Sequence, residues 1–229
     1  MLEALRSEVL EANLELVRRG LVIYTFGNAS GISRPDGLVV IKPSGVSYAN
    51  MTPSDMVIAD LDGRVVEGSL RPSTDLETHL ALYRAFSSIG GVAHTHSRHA
   101  TAWAQASREI PCFGTTHADY FHGPIPVTAP LSPGEIESGY EANTGLAIVR
   151  AMEGRGPLGC PAVLVAGHAP FCWGKSASDA AHAAVIVEEL AALALETLMI
   201  NPAAEPISEA LRDRHHFRKH GPKATYGQR

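Results

Sequence analysis

Two histidines one residue apart, His94 and His96, follow the short apolar run Gly91-Val-Ala93. On a strand, residues two apart point to the same face, so the two imidazoles would emerge side by side. That geometry suits two ligands on one metal ion, although paired same-face histidines also occur on solvated strands. His168 stands directly after the apolar run Ala162–Ala166, at a strand terminus where α/β proteins place functional groups, and where a lone histidine can also cap a turn. Asp75 opens a helix after Pro72-Ser-Thr74, a place where the helix dipole favours an acid in any case. Together Asp75, His94, His96 and His168 would form a site of three imidazoles and one carboxylate. Imidazole suits zinc and neighbouring divalent metals, and a single carboxylate leaves a net positive centre able to polarise a carbonyl. His99 falls in the next helix on a different face and is read as a surface or supporting residue.

Three small polar loops form a second group: Gly27-Asn28, Ser44-Gly45 and Ser73-Thr74. Each offers backbone N–H groups and a short donor where an anion could approach. Each alone is an ordinary turn. Three of them, with Lys42 nearby, point to a phosphate site.

The elements that must position these residues alternate helix and strand patterns. Leu2, Leu5, Val9, Ala12 and Leu16 recur at steps of three and four, which predicts an amphipathic first helix closed by Arg18-Arg-Gly20. The segment Gly27–Gly31 is read as too glycine-rich to be regular. Leu38–Lys42 reads as a strand, and Met56–Asp60 with Arg64–Glu67 as a hairpin around Asp62-Gly63. Helices are expected over Ser73–Phe86, Ser97–Ser107 and Ile136–Glu153, and strands over Gly91–Thr95, Pro124–Thr128 and Ala162–Ala166. Ser178 is taken as the N-cap of a long helix running to Ile200. Beyond Pro202 the chain turns polar. With no repeat or linker, residues 1–229 are expected to form one α/β domain with a central sheet covered by helices.

The bulk composition bounds the rest. The chain has 229 residues, 45% hydrophobic and 19% charged, with a formal charge of −5, values of a globular protein whose field repels nucleic acid and anionic membranes. The three cysteines, Cys112, Cys160 and Cys172, show no paired spacing, so neither a disulfide framework nor a cysteine zinc knuckle is indicated. A reducing compartment, the cytoplasm, is expected. The N-terminus has neither the basic start nor the apolar core of a signal peptide. Asp179, His182, Glu188, Glu189 and Glu196 interrupt the apolar run at 178–200 and make it a core helix, not a membrane span.

Several long motifs in register resemble the class II aldolase/epimerase family nearly end to end: Ile41-Lys-Pro-Ser-Gly-Val46, Pro72-Ser-Thr-Asp75, His94-Thr-His-Ser-Arg-His-Ala-Thr101, Gly114-Thr-Thr-His-Ala-Asp-Tyr-Phe121 and Tyr226-Gly-Gln228. The resemblance implies a mainly antiparallel sheet and one divalent ion per subunit, zinc before manganese or cobalt, held by Asp75, His94, His96 and His168. It implies substrate contacts at Gly27, Asn28, Lys42, Ser44, Gly45, Ser73 and Thr74. It assigns an acid/base pair to Asp119 and Tyr226, with the tyrosine reaching into a neighbouring subunit's site in a homotetramer. The activity implied is inversion of C4 of a pentulose phosphate, L-ribulose 5-phosphate to D-xylulose 5-phosphate, by retro-aldol cleavage and re-addition. L-xylulose 5-phosphate or another pentulose phosphate, and an aldolase reaction, are the alternatives. In the aldolase branch a catalytic glutamate typically stands where this chain has Asp75. A non-catalytic structural metal site is the rival from another class, and scattered cysteines speak against it. Thr74 in place of a second serine, His168 within Ala-Gly-His-Ala-Pro and His122 in place of an aromatic depart from the family pattern and bear on substrate preference.

Overall fold

In the computed structural model, residues 1–220 and 224–225 are described. Helix α1 (Glu3–Arg18) leads into strands β1 (Asn28–Ser33), β2 (Leu38–Ile41), β3 (Val57–Asp60) and β4 (Val65–Glu67), then helix α2 (Leu76–Ala85) and strand β5 (Gly91–His94). Helices α3 (Arg98–Gln105), α4 (Thr115–Ala118) and α5 (Pro133–Ala151) follow, then β6 (Ala162–Leu164), β7 (Pro170–Gly174), α6 (Ala177–Ile200) and α7 (Glu209–Lys219). The strands form one sheet in the order β4-β3-β2-β1-β5-β7-β6, every pairing antiparallel.

Side-chain alternation along β1 assigns the two faces. Ser30 points to α2, where its hydroxyl meets His79 Nδ1 at 2.7 Å and the Tyr83 hydroxyl at 2.8 Å. Gly31 points to the opposite face, where a Cβ would stand 2.8 Å from Leu5 and 3.6 Å from the Ala177 Cβ. So α1 and α6 cover one face with α3 beside them, while α2, backed by α5, covers the other. The apolar core runs between, with Leu16, Val39, Ile41, Ile58, Leu80, Val92, Phe171 and Trp173 fully buried.

Three expectations are corrected. The Gly27–Gly31 segment is not irregular: most of it is central strand β1, held by ladders to β2 and β5, a tertiary context that overrides weak strand propensity. Where the register to β2 stops at Ser30, Asn13 takes over as partner, accepting from the Ala29 N–H at 2.8 Å and donating to its carbonyl at 3.0 Å. Pro124–Thr128 is not a strand but makes only the bridges Ile110–Ile125 and Val127–Leu164, since Pro124 and Pro126 have no N–H to give a ladder. The cap of α6 is Ser176, whose hydroxyl accepts the Asp179 N–H at 3.0 Å, not Ser178. Within the polar segment beyond Pro202, helix α7 packs on α4. Among the described residues no helix is long and apolar enough to cross a membrane.

Candidate active site

Three antiparallel strands bring the histidines together. His94 ends β5, its register partners being Asn28 on β1 and Phe171 on β7. His96 lies just beyond. His168 sits in the turn between β6 and β7, closed by Val165 N–H to Ala169 carbonyl at 3.0 Å and His168 N–H to Val165 carbonyl at 2.9 Å. Because β7 runs back alongside β5, that turn lies over the end of β5. The chain enters β1 at Gly27 with φ 78°, where a Cβ would stand 2.7 Å from the His94 carbonyl oxygen. Only glycine fits there.

The three imidazoles converge, with ligand nitrogens all within 4.8 Å of one another. His94 Nε2 is 3.1 Å from His96 Nε2, which is 3.3 Å from His168 Nε2. His94 Nδ1 lies 3.0 Å from the Pro170 carbonyl. A carbonyl can only accept, so Nδ1 carries the hydrogen and Nε2 presents a bare lone pair to the cluster. Burial pushes all three rings down from the ordinary histidine value, so they stand neutral at pH 7. Neutral nitrogens with converging lone pairs fit a divalent cation.

The histidines open onto a cavity of about 410 Å³ shared with Gly27, Asn28, Lys42, Ser44, Gly45, Ser73, Thr74 and Asp75. All the residues expected to bind metal or substrate therefore line one space. Asp75 stands outside the tight histidine group, its Oδ2 accepting from Asn28 Nδ2 at 2.6 Å. Burial would raise its carboxyl, but His94, His79 and the Asn28 hydrogen bond outweigh that and hold it below the usual range. Lys42 is buried, its ammonium donating to the Pro43 carbonyl at 3.1 Å and lying 4.7 Å from the centre of the Tyr48 ring. Two backbone amides expected to face an anion do not. The Ser44 N–H goes to the Arg71 carbonyl at 2.9 Å and the Ser73 N–H to the Lys42 carbonyl at 3.0 Å, a short ladder across Pro43 and Pro72.

Asp119 does not line the cavity of its own chain. It ends α4 under α7, accepting from Arg218 at 3.0 Å and lying 3.2 Å from both Lys219 and His215 Nδ1. Burial would raise its carboxyl, but these hydrogen bonds outweigh it and hold it low. Tyr226 lies outside the described residues. His99 faces away from the cavity, its Nδ1 2.7 Å from Glu188 on α6. Tyr140 and Glu141 also line the cavity and were not foreseen. The available signal was Gly139, a residue that weakens a helical pattern where it stands inside one.

The sheet order and the histidine-lined cavity define a metal-site fold of the aldolase type. Residues 7–195 match the family described as Class II Aldolase and Adducin N-terminal domain, and the chain belongs to that family. Among curated relatives, proteins called L-ribulose-5-phosphate 4-epimerase UlaF from Salmonella paratyphi C (strain RKS4594) and Salmonella typhi are each 54% identical over 228 residues, covering 100% of both chains. Among solved structures, an L-fuculose 1-phosphate aldolase superposes with a TM-score of 0.81 at 25% identity, covering 94% of this chain and 95% of its own. YgbL from Klebsiella pneumoniae, described as a putative aldolase/epimerase/decarboxylase, gives 0.74 at 25% identity, covering 94% and 100%.

Proposed function

We propose that the chain is a metal-dependent epimerase that inverts C4 of L-ribulose 5-phosphate to give D-xylulose 5-phosphate. The observation that carries this is the cluster of three neutral imidazoles opening onto a cavity lined by hydroxyls, an amide and a lysine. The full-length likeness to proteins named as this epimerase supports the choice of substrate. Residues 1–229 act as one unit in this reading.

The carbon to be inverted carries no acidic proton, so deprotonation at C4 cannot do it; a reverse aldol can. A base takes the C4 hydroxyl proton, the C3–C4 bond breaks, and its electrons pass into a three-carbon enediolate. Glycolaldehyde phosphate is the other fragment. If it presents its opposite face before the bond re-forms and the oxygen is reprotonated, C4 is inverted. A divalent ion, zinc before manganese or cobalt, held by His94, His96, His168 and Asp75, would supply the positive charge that offsets the charge developing on the C2 and C3 oxygens. Asn28 fixes the Asp75 carboxylate. Lys42, the Ser44 and Thr74 hydroxyls and the Gly45 and Thr74 amides would hold the phosphate.

Asp119 and Tyr226 serve as the acid/base pair. Because Asp119 lies away from its own cavity and beside the helix leading to Tyr226, both would be supplied by a neighbouring subunit of a homotetramer. Phe26, which lines the cavity, and Ile23 and Tyr24 just before it in the chain are exposed, and they suit burial against that neighbour. A cytoplasmic location goes with this reading. The test is incubation with L-ribulose 5-phosphate plus a divalent ion, following D-xylulose 5-phosphate through a coupled enzyme. Its appearance is expected. Release of free dihydroxyacetone and glycolaldehyde phosphate without it would make the protein an aldolase instead.

A further inference from the structure

Helix α5 is broken at Gly139, whose φ of 146° and ψ of 81° lie outside the helical region. The break is braced: Asn143 Nδ2 reaches back to the Glu135 carbonyl at 2.7 Å and the Ser138 hydroxyl at 3.1 Å. The part beyond it is pinned to α2, where Thr78 donates to the Glu141 carbonyl at 2.7 Å. A Cβ on Gly145 would stand 2.5 Å from that of Ala81. The first residue after the break is Tyr140, and its hydroxyl lies 3.0 Å from His168 Nδ1.

His94 ends strand β5, whereas His168 lies in a turn, so its backbone fixes its ring less firmly than that of His94. If its Nε2 is to present a lone pair to the cluster, Nδ1 must carry the hydrogen and needs an acceptor. His94 has the Pro170 carbonyl for that purpose; His168 has the Tyr140 oxygen. We infer that Tyr140 is a positioning residue for the metal centre, fixing the tautomer and orientation of His168, and that the α5 kink exists to deliver it. This rests on the metal reading given above.

Supporting groups of this kind typically change metal affinity about 10–100-fold. The test is Co(II) binding to metal-free protein, without substrate, by chelator competition and by the visible spectrum of the bound ion. Tyr140→Phe is expected to melt at the same temperature as the parent when metal-free, to bind Co(II) about 10–100-fold more weakly and to show an altered spectrum. Gly139→Ala, which a positive φ disfavours, should shift affinity in the same direction, and the double variant should lose no more than the worse single one. Equal affinity and spectrum in Tyr140→Phe and the parent, even with a raised KM, would overturn the inference and make Tyr140 a substrate contact. Failure of the parent to bind Co(II) would overturn the metal reading, and this inference with it.

Discussion

An ammonium group buried as deeply as that of Lys42 holds its proton weakly, and burial brings it down to about 8 from an ordinary 10.5. If this group meets the substrate phosphate, its charge is present at neutral pH and lost as pH rises through about 8. The logarithm of kcat/KM, which reports the free enzyme, is then expected to fall with a slope near −1 above that pH. In Lys42→Met it should be lower and flat across the same range. A parent profile that stays level to pH 9.5 would remove Lys42 from phosphate binding. Stability moves the other way. Between about 8 and 10.5 the unfolded chain keeps a proton that the native one has released, so the fold gains as pH rises.

At the scale of elements, the site depends on a few cross-links made by polar groups. Arg6 on α1 is 3% exposed, with its guanidinium donating to the carbonyls of Met56 at 2.6 Å and Ser54 at 3.2 Å and to Glu67 at 2.9 Å. It ties the first helix to the turn before β3 and to the outer strand β4. Arg6→Met would leave buried carbonyls unpaired and is expected to cost about 3 kcal/mol, read from the urea midpoint, with Co(II) affinity of the folded protein unchanged. An unshifted midpoint would mean that water replaces the guanidinium. The elements hardest to read from sequence are those stabilised in this way. Strand β1 is a strand because two ladders and Asn13 satisfy it. Helix α7 has little apolar face, and its contacts on α4 include His216 Nδ1 at 3.2 Å from the Ala118 carbonyl and His220 Nε2 at 2.9 Å from the Asp119 carbonyl. Neither leaves a periodic apolar trace.

For the whole molecule, the assignment of Asp119 and Tyr226 to a neighbour makes a sharp claim about mixed oligomers. A chain lacking a metal ligand, His96→Asn, and a chain lacking the acid/base group, Asp119→Asn, are each expected to be inactive. Hybrids of the two contain sites that join an intact cavity to an intact Asp119–Tyr226 pair, and should regain activity. Asp119→Asn mixed with Tyr226→Phe should not, because in this assignment one chain supplies both groups. Hybrids confirmed by native mass spectrometry but inactive in the first mixture would place the pair elsewhere. Much of this protein was open to reading from sequence. The histidines, Asp75 and the small polar loops could be found because each is defined by residue type and local spacing: a period of two on a strand, an acid at a helix start, a glycine in a turn. The long helices and the strands β2, β3, β5 and β6 declared themselves through apolar periodicity or short apolar runs for the same reason, while β1 and β7 did not. Tertiary structure alone decided which nitrogens face one another, because that follows from the antiparallel return of β7 along β5. It also decided that the Ser44 and Ser73 amides are already spent on the chain, that a kinked helix brings Tyr140 to His168, and that Asp119 lies under α7 and away from its own cavity. These are relations between segments far apart in sequence, and no local pattern of residues encodes them.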